Sequence, residues 1–132
     1  MSLLEKVMHA DREFLDAFGI DVVEVAPGHV ALRGRPSPAL VNSAGVVHGS
    51  YAFALLDTAA AYALAARDVH AVTIGTHVVF SRPVAPEASI VAIADVVPAG
   101  RTLATVRAAL SADDRVAALA TLQFKVVTDR LG

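Results

Sequence analysis

Cysteine is missing from the 132 residues, which excludes disulfides and zinc–thiolate centres and fits a reducing compartment. Charge is sparse as well. Only 18% of the residues are charged and the formal net charge is −2, with no cluster of Lys or Arg, so the electrostatic footprint of a duplex-binding protein is absent. The sequence holds no glycine-rich phosphate fingerprint and no Gly-x-Ser-x-Gly nucleophile elbow, and no histidine–carboxylate pair has metal-ligand spacing. Neither a metal nor a cofactor is therefore expected. Met1-Ser2-Leu3-Leu4-Glu5-Lys6 turns charged at once, unlike a secretory leader. Repeats, low-complexity tracts and linkers are also lacking, so the expectation is one cytoplasmic domain over residues 1–132.

What the chain has in excess is apolar surface. Hydrophobic residues make up 55% of it and the mean hydropathy is +0.57, more than a small monomer readily covers, so subunit interfaces are expected to bury part of it. The run from His48 to Ala66 approaches the length of a bilayer span. Asp57 in its middle, the dominance of Ala over Leu and Ile, and amphipathic segments on both sides favour a helix buried all round inside the protein.

Residues 3–18 carry Leu4, Val7, Met8, Phe14, Leu15 and Phe18 at helical spacing, with Gly19 as the stop. Ile20–Val25 and His29–Arg33 pattern as a hairpin around Pro27-Gly28. Pro36-Ser37-Pro38 opens a loop, and an alanine-rich helix follows over Gly49–Ala66. From Val72 the period becomes two, and Arg82-Pro83 and Pro86 end that strand. Ser89–Val97, Thr102–Leu110 and Arg115–Val127 follow, with turns at Pro98-Ala99-Gly100 and Ala112-Asp113-Asp114. The last four strands are expected as an antiparallel meander. The fold class is α+β, a single antiparallel sheet wrapped round one buried helix.

Asp57 is the only formally charged side chain between Arg35 and Arg67. Burying a lone carboxylate on an apolar helix costs free energy and raises its pKa, so a residue kept there has either a chemical role or a structural hydrogen bond. Gly49 at the helix start offers an unpaired backbone N–H where partial positive charge collects, a suitable donor for a developing oxyanion. Asp57 is suited to act as general base on water or to attack a thioester itself. Asn42 and His48 either supply further donors or fix the loop. Gly49 and Asp57 are eight positions apart, about 12 Å along a continuous helix, too far for both to touch one carbonyl. Antiparallel helices from two chains remove that difficulty, so the spacing itself argues for a site shared across a two-fold axis.

The pattern Asn42…Gly45…His48-Gly49…Leu56-Asp57-Thr58, followed by a strand ending Phe80-Ser81-Arg82-Pro83, resembles hotdog-fold acyl-CoA thioesterases. The nearest branch is the phenylacetate-degradation type, which also takes in thioesterase-superfamily member 2, and the resemblance spans residues 14–127. It implies a homodimer, or a tetramer built as a dimer of dimers, acting on an acyl-CoA substrate. By that resemblance Asp57 is base or nucleophile, the Gly49 amide polarises the carbonyl, and Asn42 and His48 position thioester or water. Thr73 falls where the family often has a small hydroxyl residue facing the carboxylate from the other chain. Arg82-Pro83 and Gly100-Arg101 are nominated for coenzyme A contacts, the arginines for phosphate. Ser50 replaces a second glycine after His-Gly, and His77 stands where Asn or Thr is common, which bears on acyl selection if the ring faces the site. The rival readings are a hotdog hydratase or dehydratase pairing Asp57 with His48, and a non-catalytic acyl-thioester-binding module.

Overall fold

Ser2 and Glu5 exchange hydrogen bonds across the first turn of helix α1 (Leu3–Ala10), a capping box that satisfies two orphan backbone donors. This is a computed structural model, and it describes residues 1–98 and 102–127. The helix expected over residues 3–18 is broken at Asp11 and resumes as α2 (Arg12–Phe18). Gly19 then ends it in the left-handed region at φ 61°. A Cβ there would lie 2.2 Å from the Arg35 carbonyl oxygen, so only glycine fits.

Strands β1 (Ile20–Ala26) and β2 (His29–Gly34) form the expected hairpin, and α3 (Gly49–Ala65) runs unbroken through the apolar stretch. Strands β3 (Ala71–Phe80), β4 (Ile90–Val97), β5 (Leu103–Ala112) and β6 (Arg115–Val126) complete one antiparallel sheet. Its order is β1-β2-β4-β5-β6-β3, which corrects the four-strand meander. Of the last four strands only β4, β5 and β6 are sequential neighbours, while β3 lies at the far edge against β6. Residues 81–89 are too long and too proline-rich for a tight turn. They cross the end of the sheet instead, and the Val84 carbonyl accepts a 2.9 Å hydrogen bond from the Val47 N–H. The β5–β6 turn is tighter than expected, with Asp113 and Asp114 at φ 49° and 64°, the geometry that suits the sheet's twist.

The core lies between α3 and one face of the sheet. Tyr51, Leu55, Leu56, Ala59, Tyr62 and Ala63 are buried against Leu32, Ile90, Ala92, Val106, Leu122 and Phe124. Alternation along β4 and β5 puts these strand residues on the helix side. Gly34 marks the closest approach, since a Cβ there would meet Leu55 at 2.6 Å. The opposite face leaves Ile93, Val116, Leu119 and Val79 well exposed, in line with the excess of apolar surface read from composition. No helix among the described residues is long and apolar enough to cross a membrane.

Candidate functional site

Asp57 projects from the middle of α3 and is only half-buried. The Thr73 hydroxyl donates to its Oδ1 at 2.5 Å. Burial raises the Asp57 pKa above the ordinary carboxylate value, and the Thr73 hydrogen bond opposes that by favouring the charged form. Burial is the larger effect, so the carboxylate is a better proton acceptor than a solvated one.

Thr73 therefore faces Asp57 from its own chain, which corrects the expectation that it does so from the other. A β-bulge is responsible. In the β3–β6 ladder Thr73 pairs with Phe124 and Gly75 with Gln123, leaving Ile74 as the extra residue. Strict alternation would group Thr73 with His77 and Val79. The bulge groups it with Thr76, Val78 and Phe80 on the helix side, and sends His77 to the outer face beside Arg107, Thr121 and Leu119. His77 accordingly points away from Asp57.

The loop before α3 is closed by a single bridge between Val41 and Val47. Asn42 Oδ1 accepts from the Ala44 N–H at 3.0 Å and the Val46 N–H at 3.2 Å, and Gly45 takes φ 78°. In this chain the Asn42 carbonyl oxygen thus holds the loop. His48 sits at the N-cap without capping the helix through its side chain. Its N–H donates to the Leu40 carbonyl, which fixes where the helix begins.

Gly49 is exposed at the first position of α3, with its N–H among the donors a helix start cannot satisfy internally. It opens on two recesses. One, of about 460 Å³, is formed with Phe53, Thr76, Val78 and Phe80; the other, of about 270 Å³, reaches Arg82 and Pro83. Arg82 donates from Nε to the Val116 carbonyl at 3.2 Å and is otherwise exposed. Arg101 lies outside the described residues.

Asp57 opens on a different cavity, of about 310 Å³, lined by Val7, Asp11, Phe14, Tyr62, His70 and neighbouring alanines. Gly49, Arg82 and Pro83 are thus brought together, and Asp57 with Thr73, but among the described residues the two groups line different cavities. Asp11 and Tyr62 escaped the sequence reading, in which His70 counts only as a surface or loop residue; it lies in the connection before β3 and lines the cavity. Asp11 falls in an amphipathic helix where a polar residue is unremarkable, and Tyr62 is one more large residue of a buried helix.

Among known proteins, the model of the thioesterase superfamily matches residues 44–118. Comparison by sequence with curated proteins gives no match. The TT0310 protein of Thermus thermophilus superposes with a TM-score of 0.82 at 30% identity, over 87% of this chain and 97% of that one. The Escherichia coli PaaI protein of the phenylacetic acid degradation operon gives 0.86 at 23% identity, over 96% of each chain. A hypothetical thioesterase of Streptococcus pneumoniae, solved with coenzyme A, gives 0.86 at 20% identity over 93% of this chain and 98% of that one. The sheet wrapped round α3 is the hotdog fold these structures share.

Proposed function

Given that the chain belongs to the thioesterase superfamily, we propose that it hydrolyses an acyl- or aryl-acyl-CoA thioester to the free acid and CoA, at a site shared between two subunits. The observation that carries the reading is the position of Asp57, a half-buried carboxylate on a cavity wall with one hydroxyl partner and raised proton affinity. Binding alone gives no reason to keep a charge there. Coenzyme A bound to the streptococcal structure supports CoA as the carrier.

In this mechanism Asp57 takes a proton from water as the water oxygen attacks the thioester carbon. The carbonyl oxygen becomes an oxyanion and is held by the N–H of Gly49 of the partner subunit. Collapse breaks the carbon–sulfur bond, and the departing thiolate takes up the proton from Asp57. Thr73 orients the carboxylate and favours its ionised form against the larger effect of burial. Arg82 stands on the Gly49 side, where the CoA phosphates would lie. The two-subunit site is supported by the unbroken α3, which holds Gly49 and Asp57 of one chain about 12 Å apart. Further support comes from β3, whose outer edge pairs with no described strand and which exposes Val72 and Ile74. Such an edge invites a second copy.

Free-thiol release from phenylacetyl-, benzoyl- and hexanoyl-CoA tests the activity, with an enoyl-CoA hydration assay beside it for the hydratase alternative. Subunit mixing tests the architecture. Asp57→Asn and Gly49→Pro chains are each expected to be inactive. Proline suits the first helical position while removing its N–H, and the extended His48 (φ −56°, ψ 138°) is compatible with a following proline. Refolded together, half the dimers carry one intact site of two, so activity returns to about a quarter of wild type. No recovery in verified mixed dimers would place Gly49 and Asp57 in the same site of one chain, or Gly49 in none.

A further inference from the structure

The cavity beside Asp57 contains a second carboxylate that the mechanism does not use. Asp11 stands where the N-terminal helix breaks, at φ −90° and ψ 5°. Aspartate at a helix start ordinarily caps it through its side chain, yet Asp11 makes no such bond. Its Oδ2 turns inward and accepts a 2.7 Å hydrogen bond from the Tyr62 hydroxyl. Tyr62 is buried on α3, and both residues line the Asp57 cavity with His70, between the apolar walls of Val7, Phe14 and Ala61. An ionised carboxylate offers about four acceptor positions. Tyr62 fills one, and Oδ1 has no partner among the described residues. Burial and the adjacent Asp11 both push the Tyr62 pKa up, so the phenol stays a donor and holds the carboxylate in place.

We propose that Asp11 is a specificity-determining residue, whose unoccupied carboxylate oxygen accepts a hydrogen bond from a donor group at the far end of the acyl moiety. This deepens the thioesterase reading and rests on its placement of the acyl group beside Asp57. Tyr62 follows Asp57 by five positions on α3, about 7.5 Å along the axis. The cavity, of about 310 Å³, has room for an acyl group of about six carbons, or one ring, bearing a terminal hydroxyl. Alanines at 61, 65 and 71 leave the room, and the N-terminal helices supply both the roof and the acceptor.

The test compares matched pairs on the full chain: 6-hydroxyhexanoyl-CoA against hexanoyl-CoA, and 4-hydroxyphenylacetyl-CoA against phenylacetyl-CoA. Wild type is expected to favour the hydroxylated member by about 10- to 100-fold in kcat/KM, carried mainly by KM, as for one hydrogen bond to a charged group. Asp11→Ala is expected to bring the ratio to about one, while its kcat on the plain substrate stays within about threefold. Tyr62→Phe removes the bond between α3 and the N-terminal helices but leaves the carboxylate, and should keep a preference. If Asp11 is only a structural tether, both variants will weaken turnover of both members alike and leave the ratio as it was. A wild-type ratio near one, or an unchanged ratio in Asp11→Ala, overturns the proposal. The same ratio measured as Kd by calorimetry tests Asp11 without turnover. A wild type that binds the pairs selectively yet releases no thiol therefore sinks the thioesterase reading and spares this one.

Discussion

The two ends of the α3 working surface differ in almost every respect. At Gly49 the helix opens on a shallow recess walled by Phe53, Val78 and Phe80, and its chemical asset is an unpaired backbone donor. At Asp57 the helix is roofed by residues of α1 and α2, and its asset is a carboxylate whose proton affinity burial has raised. A helix is too stiff to fold these ends together. One element can therefore supply both halves of an acyl-transfer site and still be unable to assemble them in its own chain. In the proposed mechanism that is a physical reason for two subunits to share the site, separate from the exposed apolar face of the sheet.

The comparison breaks if the two ends do not fail differently. Asp57→Asn should cost the most, lowering kcat by about 10²–10⁴-fold on any substrate the wild type turns over. Gly49→Pro should cost about 10²–10³-fold but leave the acid limb of the pH–rate profile where it was, because the base is untouched. A Gly49→Pro profile displaced along the pH axis would mean that the helix start acts through Asp57 rather than on the oxyanion. Thr73→Val sharpens the Asp57 side. It removes the one hydrogen bond that lowers the Asp57 pKa, so the carboxylate should protonate at higher pH. The acid limb of kcat/KM should move upward, with a loss at neutral pH of about tenfold or less. An acid limb that moves down or stays put would detach Thr73 from the base.

Asp57 was legible because a single charge in an apolar run has no bland solvated face to occupy. The same isolation made α3 legible as a buried helix, and periodicity identified each strand. Periodicity says which side a residue faces and not which strand lies beside it, so it could not send β3 to the far edge against β6. Nor could it reveal the bulge at Ile74, since Ile74 continues the alternation as written. That one residue decides that Thr73 meets Asp57 and that His77 does not. Asp11 was hidden for another reason: its partner Tyr62 is 51 positions away, and nothing local to either residue announces the pair.

The smallest effect concerns stability, and its sign separates a catalytic carboxylate from a structural one. Burial lifts the folded-state pKa of Asp57 above the 3.8 expected when unfolded. Between those two values the folded chain binds more protons than the unfolded one, so stability falls as pH rises through the window. Above it the wild type carries the full penalty of a half-buried charge. Asn at position 57 keeps an oxygen for the Thr73 hydroxyl and carries no charge. Asp57→Asn should therefore melt higher than wild type at pH 7, by a few degrees, and the gap should close as the pH is lowered below about 4. A residue retained for chemistry at some expense of stability behaves in this way. Were the Asn protein to melt lower at pH 7, the carboxylate would be holding the fold together, and its place at the centre of the mechanism would be lost.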